Sequence, residues 1–253
     1  MELLFDVGNS YTIVGIHNVD KFFTWRLGPS ILESEDILFA NLSKLVEYSK
    51  LDINNIKEIG ISSVVPKVNF ILEQFSNKYF NIEPIFVSSE HKVYNIGYLV
   101  DYPKEIGADR LSNVIASKVD YGDNVIAVDF GTAITVDVLE GGNFVGGAII
   151  PGFRTAINAL FSKTAKLPEV DLIPVNYNLG KNTIDNIQIG VVKTTLFGIE
   201  KLIQEIKNER KQDFFVVVTG GDAKFLKFSF FDKYDSNLTL KGIKYYMKEV
   251  KTL

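Results

Sequence analysis

The stretch Asp6-Val-Gly-Asn-Ser-Tyr-Thr12 decides the fold, because Asp129-Phe-Gly-Thr-Ala-Ile-Thr135 repeats its pattern in the second half of the chain. In each copy an apolar run leads into Asp-x-Gly, a small polar residue follows, and a second β-rich run carries the chain away. Asp, Gly and Asn are common turn residues, so one copy alone would indicate a hairpin turn. Two copies with matched flanking strands and a shared threonine instead predict an internal duplication, in which two related lobes face a shared cleft.

Both turns have the chemistry of a nucleotide phosphate site. Glycine has no Cβ, so the backbone can come close to a ligand. The side chains of Asn9 and Thr132, together with nearby amide groups, can then donate to phosphate oxygens. Asp6 and Asp129 repel phosphate, so they need a metal ion between them and it. The repeat therefore predicts a nucleotide–metal site.

The composition is typical of a soluble globular protein, with 46% hydrophobic and 23% charged residues. A chain of 253 residues is long enough for two domains. The net charge of −4 argues against a general nucleic-acid binder, which usually has a basic face. No apolar stretch approaches the roughly 20 residues of a membrane span, and Asp6 follows the N-terminus too closely for a secretory signal. We therefore expect a cytoplasmic protein with no nucleic-acid or membrane partner.

The side-chain inventory excludes several chemistries. Because the chain has zero cysteines, disulfides, thiolate catalysis and thiolate metal sites are excluded. The two histidines, His17 and His91, leave a Ser-His-Asp hydrolase little to work with, and we expect both on the surface. Neither a Walker A sequence nor G-x-G-x-x-G occurs, which argues against a P-loop or Rossmann nucleotide site.

The predicted elements follow the same order in both halves, with three strands first and helices alternating with strands afterwards. Predicted strands lie near 2–8, 11–17, 21–27, 59–65 and 84–87, and again near 124–130, 133–139, 143–150 and 214–218. Predicted helices lie near 34–50, 68–80, 107–119 and 183–207, after Gly152 and after Asp222. In the first helix Ser34 is the predicted N-cap and Ile37, Leu38, Leu42, Leu45 and Val46 form the predicted buried stripe.

This order indicates two α/β lobes of ribonuclease H-like topology, each a mixed sheet with flanking helices. The predicted boundary falls near Asp120-Tyr-Gly-Asp123, which gives an N-terminal lobe at residues 1–120 and a C-terminal lobe at 121–253. No low-complexity tract or long flexible linker separates the two halves.

Two further segments could carry chemistry. Thr219-Gly-Gly-Asp222 directly follows a β-branched strand and could let a flat ring or a phosphate approach bare backbone; a tight glycine turn explains it equally well. Gly107-Ala-Asp109-Arg110 opens a helix, where a plain aspartate cap is the default explanation. The same segment also suits phosphoryl transfer, in which one residue takes a hydroxyl proton and the other steadies an anionic substrate or developing charge.

The chain resembles the type III pantothenate kinases of the acetate kinase/sugar kinase/Hsp70/actin superfamily. Six motifs carry the resemblance, in the family's order: Asp6-Val-Gly-Asn, Gly107-Ala-Asp-Arg, Asp129-Phe-Gly-Thr-Ala, Gly146-Gly-Ala-Ile-Ile-Pro-Gly152, Thr164-Ala-Lys-Leu-Pro168 and Thr219-Gly-Gly-Asp222. Each motif is weak alone, but six in order over nearly the whole chain make the match specific. The resemblance implies duplicated actin-like ATPase lobes and ATP-dependent phosphorylation of pantothenate to 4'-phosphopantothenate, the first step of coenzyme A biosynthesis.

The resemblance also implies roles for single residues. Asp109 would be the general base, Asp6 would serve Mg²⁺, and Asp129 would also serve a monovalent cation, typically K⁺ or NH₄⁺. ATP would contact the two phosphate motifs and the last glycine turn, through Asp6, Val7, Gly8, Asn9, Ser10, Tyr11, Thr12, Gly131, Thr132, Thr219, Gly220 and Gly221. Pantothenate would contact Gly107, Ala108, Asp109, Arg110, Tyr102 and, across a homodimer interface, Thr183.

Two positions depart from the family pattern. Many members carry a tyrosine nine residues before the base as a substrate contact, where this chain has Val100. Tyr98 or Tyr102 could take its place, although on a strand both would share the face of Val100. Near the C-terminus the family's Asp-Leu-x-Leu-x-Gly is Asn237-Leu-Thr-Leu-Lys-Gly242 here, a change that touches packing more than chemistry.

Four alternatives from other classes stay open at this point. A different small-molecule kinase of the superfamily would keep both phosphate motifs and change the acceptor pocket around 98–110 and 150–185. A non-catalytic regulator would lose the base, yet Asp109 is present. An actin-like filament protein would be longer, and a ribonuclease H-like nuclease would need a denser acidic cluster and a basic groove. Pantothenate kinase is the reading that the residues favour.

Overall fold

The computed structural model describes residues 1–164, 167–173, 175–223 and 230–252. In chain order the strands are β1 (Glu2–Val7), β2 (Thr12–Asn18), β3 (Lys21–Leu27), β4 (Glu58–Ser63), β5 (Ile85–Phe86), β6 (Val125–Phe130), β7 (Ala133–Glu140), β8 (Asn143–Pro151), β9 (Phe215–Thr219) and β10 (Lys233–Tyr234). The α-helices are α1 (Glu35–Tyr48), α2 (Asn69–Phe80), α3 (Ala108–Tyr121), α4 (Phe153–Lys163), α5 (Thr183–Gln188), α6 (Thr194–Arg210) and α7 (Leu238–Val250).

The chain divides into two compact units. The first unit contains Met1–Asp120, Gly142–Phe144 and the residues from Asn237 onward. The second unit contains Tyr121–Gly141 and Val145–Ser236. Helix α7, which the predicted division placed in the C-terminal lobe, thus belongs with the first sheet, because it packs on β1 and β4.

Both units contain a five-stranded mixed sheet of the same topology. The strand order is β3-β2-β1-β4-β5 in the first unit, and reading the second sheet from the other end gives β8-β7-β6-β9-β10. In each sheet the central strand pairs antiparallel with the strand that follows it and parallel with a later one. The predicted duplication of α/β lobes with ribonuclease H-like sheets is confirmed.

Helices α1 and α2 cover one face of the first sheet. They share a hydrophobic core with alternate residues of β1 and β4, whose members include Leu3, Phe5, Val7, Leu38, Leu42, Ile59, Ile61 and Leu72. Successive strand residues point to opposite faces, so Asp6 points away from α1 and α2. The alternation therefore fixes which face of the sheet carries the first aspartate.

Helices α7 and α3 lie at the opposite face. A Cβ added to Gly60 of β4 would come within 2.7 Å of Ile243 Cγ2 on α7, so the helix packs directly on bare backbone. Along α7, Gly242 is in equally close contact with the backbone of Ser112 on α3. The segment Asn237–Gly242, which departs from the family pattern, therefore forms the start of α7, and this helix completes the first unit.

Some predicted details are confirmed and others are wrong. Ser34 caps α1, since its Oγ accepts a hydrogen bond from the Ile37 amide at 3.2 Å. Ile37 itself is 40% exposed, because its helix position points past the buried stripe. His17 is buried rather than on the surface, and its Nδ1 contacts the Glu2 carboxylate.

In the second unit the predicted helix over 183–207 is interrupted by a π-helical turn at Ile189–Lys193. The predicted helix after Asp222 falls on residues 224–229, which lie outside the described residues, as do Ala165 and Lys166 of the Thr164–Pro168 motif. In the part of the chain that the structure describes, the helices are too short or too polar to cross a membrane.

Candidate active site

The first predicted phosphate turn, around Gly8, joins β1 to β2. Asp6 is the second-last residue of β1, and the Gly8 amide closes the turn by donating to the Tyr11 carbonyl at 3.1 Å. A Cβ on Gly8 would lie 3.2 Å from that carbonyl oxygen, a tight contact that glycine avoids. The Arg26 guanidinium lies 3.5 Å from the centre of the Tyr11 ring. The turn is therefore stabilised by its own hydrogen bond and by the contact between Arg26 and Tyr11.

A cavity of about 470 Å³ opens beside this turn within the first unit. Its lining includes five residues of the predicted ATP site, namely Val7, Gly8, Asn9, Tyr11 and Thr12, and the cation Lys67. Ligand pockets are usually about 300–1,000 Å³. The cavity has the size for a small molecule and presents turn backbone to it.

The predicted base lies in the first turn of α3. The Asp109 carboxylate accepts a hydrogen bond from the Arg110 amide at 2.8 Å. A Cβ on Gly107 would lie 2.5 Å from Asp109 Oδ1, so any larger residue there would push the carboxylate from its position. Burial raises the pKa of Asp109, and this outweighs the opposing effect of its hydrogen bond and of the Arg110 charge. The carboxylate is therefore a better proton acceptor than an ordinary aspartate.

The other residues considered as contacts of the acceptor substrate lie at the start of α3 and in the segment before it. The Arg110 guanidinium lies 5.5 Å from the centre of the Phe144 ring, and Phe144 forms an isolated β-bridge with Tyr98. Residues 98–102 are not a strand, so Tyr98 and Tyr102 need not share a face. The Tyr98 hydroxyl is buried, whereas Tyr102 is 69% exposed.

The second predicted phosphate turn, around Gly131, joins β6 to β7 in the second unit. Asp129 is the second-last residue of β6, and Gly131 donates to the Ala133 carbonyl at 3.2 Å. The Thr132 carbonyl accepts from the Gly152 amide at 3.1 Å and from the Thr155 hydroxyl at 2.7 Å. The start of α4 therefore locks the turn in place.

The two turns differ in register. In the first unit Asp6 is opposite Ile13, whereas in the second Asp129 is opposite Thr135. The first hairpin leaves four residues unpaired and the second leaves three, so the pairing shifts by one residue. The threonine shared by the two motifs thus lies opposite Val7 in one unit and opposite Asp129 in the other.

The last glycine turn packs directly on the end of β6. Gly220 has a φ of +96°, and a Cβ there would lie 2.5 Å from Phe130 backbone atoms and 2.6 Å from Asp129 Oδ1. The Asp222 amide donates to the Phe130 carbonyl at 3.2 Å. The structure thus brings together Asp129 and the Thr219–Asp222 turn, which the sequence had predicted only as separate motifs.

Three residues near these turns were missed as site residues. Arg154 Nε lies 3.4 Å from the Asp222 carboxylate, and Gly152 contacts the Thr132 turn. The third, Ser62, is paired with Asp6 on the neighbouring strand. Gly152 ends a motif that the resemblance uses, but no spacing in the sequence points to Ser62 or Arg154. Thr183 is exposed at the start of α5, where the Asn182 side chain accepts from the Asp185 amide at 2.9 Å.

A cation bound to Asp6 or Asp129 would take most of its ligands from molecules other than the protein. The described residues contain no group of three or more His, Cys, Asp or Glu side chains that could hold a metal ion. Mg²⁺ typically binds through one or two carboxylates and takes its other ligands from substrate phosphates and water. A single carboxylate at the end of each central strand fits that donor set.

The comparisons with known proteins agree on one family. The family model described as type III pantothenate kinase matches residues 2–205. A type III pantothenate kinase from Petrotoga mobilis is 69% identical over 255 residues, covering 100% of both chains.

Solved structures of low identity share the fold. A Campylobacter jejuni protein described as a Baf family transcriptional activator is 22% identical, with a TM-score of 0.60 over 99% of this chain and 100% of its own. The ROK hexokinase from Thermus thermophilus is 10% identical, with a TM-score of 0.51 over 99% of both chains. At these identities the two structures show the fold alone.

Proposed function

Since the chain belongs to the type III pantothenate kinase family and catalyses the ATP-dependent phosphorylation of pantothenate in coenzyme A biosynthesis, we propose that Asp109 is its general base. The observation that carries this proposal is the place of Asp109 in the first turn of α3, next to Arg110, where burial also raises the pKa of its carboxyl. Proton transfer is most efficient when the pKa of the base lies near the working pH. The Arg110 charge and the helix start help to keep Asp109 ionised, whereas burial makes its carboxylate more basic.

The competing assignment for the base is Asp6. An aspartate beside a divalent cation has its charge committed to the ion and is a poor proton acceptor. Phosphoryl transfer has a loose transition state, so the base mainly orients the acceptor hydroxyl and takes its proton late. A partly buried carboxylate outside the phosphate turn, preceded by Gly107 and followed by Arg110, suits that task.

The kinase family uses ATP and a divalent metal. We assign Mg²⁺ to Asp6 and the monovalent cation, K⁺ or NH₄⁺, to Asp129. Charge on the transferring phosphoryl group needs neutralising. One carboxylate at the end of each central strand supports a cation that takes its other ligands from ATP and water. When bound, these ions would supply positive charge at the phosphates, and the turn amides would orient them.

Acceptor contacts are assigned to Gly107, Ala108, Arg110, Tyr102 and Thr183. Thr183 would reach pantothenate across a homodimer interface, and its exposure at the start of α5 leaves it available for that role. The second unit also carries large apolar side chains on its surface, including Phe161, Leu179, Ile184 and Phe197. A contiguous patch of such side chains would mark a protein interface. Because the reaction consumes ATP, we propose that it takes place in the cytoplasm.

The test compares Asp109→Asn with Asp6→Asn. We expect Asp109→Asn to lose turnover by roughly 10²- to 10⁴-fold while it still binds Mg·ATP, because the base acts on the acceptor hydroxyl. Asp6→Asn should lose both, because it removes the carboxylate that holds the ion. Coupled ADP release gives turnover, and calorimetric titration with Mg·ATP gives binding. Near-normal turnover in Asp109→Asn would make Asp109 a helix cap and place the base elsewhere.

The pH dependence gives a second measurement of the same assignment. Because burial raises the pKa of Asp109 above 3.8, kcat/KM should fall on the acid side at a pH above that expected of an ordinary aspartate. The same shift means that ionised Asp109 costs folding free energy, a cost that appears as pH rises through the raised pKa. Asp109→Asn should therefore be at least as stable as wild type at neutral pH.

A further inference from the structure

Each unit places a buried hydroxyl beside its turn aspartate. The parallel pairing of β1 with β4 sets Asp6 against Ser62, and that of β6 with β9 sets Asp129 against Thr219. In-register residues on neighbouring strands point to the same face of a sheet. Ser62 is 0% exposed and Thr219 is 3% exposed. Both copies of the duplicated sheet therefore hold an aspartate and a hydroxyl side by side at the same place.

The packing of β4 fixes the direction of the Ser62 side chain. Gly60, two residues earlier, lies against Ile243 of α7, whereas Ile61 joins the core under α1 and α2. Side chains alternate along a strand, so Ser62 points to the α7 face. Asp6 points to the same face, because its neighbours on β1 join the opposite core.

The Ser62 hydroxyl has no structural task in the described part of the chain. Its Oγ is buried and has no hydrogen-bond partner among the described residues. Leaving a buried hydroxyl unpaired costs roughly 1–3 kcal/mol. The next residue differs, since the Ser63 Oγ accepts from the Val65 amide at 3.2 Å. This cost would be offset if the Ser62 hydroxyl gained a hydrogen-bond partner when the metal and the nucleotide bind.

The end of β4 also lies beside the opening of α3. A Cβ on Gly107 would be 3.6 Å from Val64 Cγ1, two residues after Ser62. The Val64 amide donates to the Val7 carbonyl at 3.1 Å, which ties this strand end to the first phosphate turn. Ser62 is therefore on the strand that contacts both the turn of Asp6 and the segment of Asp109.

We propose that Ser62 is a positioning residue for the cation held by Asp6, and that its hydroxyl accepts a hydrogen bond from a water ligand of that ion. This rests on the proposed role of Asp6. Mg²⁺ keeps several of its water ligands in protein sites, and a hydroxyl can both accept from such a water and donate onward. Outer partners of this kind are typically worth about 10- to 100-fold in metal affinity.

The test measures metal binding rather than turnover. Mn²⁺ is titrated into the protein with ADP present, and electron paramagnetic resonance reports the free ion. We expect Ser62→Ala to weaken Mn²⁺ binding by roughly 10- to 100-fold, with ADP affinity in the absence of metal unchanged. Ser117→Ala is the matched control, because Ser117 is 1% exposed and its hydroxyl is also unpartnered among the described residues, yet it lies two turns along α3 from Asp109.

Stability separates this role from a structural one. Removing an unpaired buried hydroxyl should leave the unfolding midpoint of both serine variants unchanged or higher. Wild-type Mn²⁺ affinity in Ser62→Ala, or an equal loss in both variants, overturns the proposal. Asp6→Asn is measured alongside: if it keeps its Mn²⁺ affinity, the role of Asp6 fails; if it loses affinity while Ser62→Ala does not, the role of Ser62 alone fails.

Discussion

Gly220→Ala tests whether the last glycine turn holds the second aspartate in position. The φ of +96° at Gly220 is a conformation that residues with a Cβ rarely adopt, and the added methyl group would meet Phe130 backbone atoms at 2.5 Å. It would also lie 2.6 Å from Asp129 Oδ1, so the carboxylate would have to move. One methyl group therefore strains the backbone and displaces a predicted cation ligand together.

The magnitude follows from these two effects. A sparsely populated backbone conformation costs roughly 1–3 kcal/mol, and forcing a methyl group into a packed site costs about as much again. We expect the free energy of unfolding to fall by roughly 2–6 kcal/mol, a large part of the 5–15 kcal/mol that is typical of a whole protein. Binding of Mg·ATP should weaken as well, because Asp129 is pushed from its place.

Gly221→Ala is the matched control at the next position. No described atom lies within 4 Å of a Cβ there, and no unusual φ is required. A glycine-to-alanine change at such a site stabilises by about 0.4–1 kcal/mol through the unfolded chain. The unfolding midpoints of the two variants in urea should thus move in opposite directions. Equal stability of the two variants would refute the claim that Gly220 is in close contact with β6.

Two further predictions concern the ions and the assembly. Replacing K⁺ by Na⁺ should lower turnover, because Asp129 is assigned a monovalent cation that ATP shares; equal rates in the two salts would remove that cation from the mechanism. Sedimentation should find a dimer at assay concentration, and Thr183→Ala should raise the KM for pantothenate without changing the KM for ATP; an active monomer would contradict the shared site.

The duplication was predictable because the same turn motif, Asp-x-Gly, occurs at Asp6 and again at Asp129. Asp-x-Gly after an apolar run fixes a strand end, and two copies fix two sheets. The register was not predictable, since it depends on where strand pairing resumes after each turn. The hairpin at Gly8 leaves four residues unpaired and the hairpin at Gly131 leaves three, although both motifs have the same spacing.

The properties of single residues were harder to predict from the sequence than the motifs. The sequence placed Asp109 at a helix start beside Arg110, which suggests an easily ionised carboxylate. The raised pKa comes from burial, which depends on tertiary packing around α3. Ser62 belongs to no recognisable pattern, and it was found only through its pairing with Asp6. The extent of the first unit likewise depends on α7, a helix distant in sequence from the sheet it covers.

That distance sets the order in which a growing chain can finish its two halves. All segments of the second unit precede Asn237, so this half is complete as soon as they have left the ribosome. The first unit must wait for α7, although β1 is made at the start. At roughly 5–20 residues per second, the wait is about 10–50 s. During synthesis Leu4 and Gly60 lie on an uncovered apolar face, which is a surface that nascent-chain chaperones bind. The half made first is the half completed last.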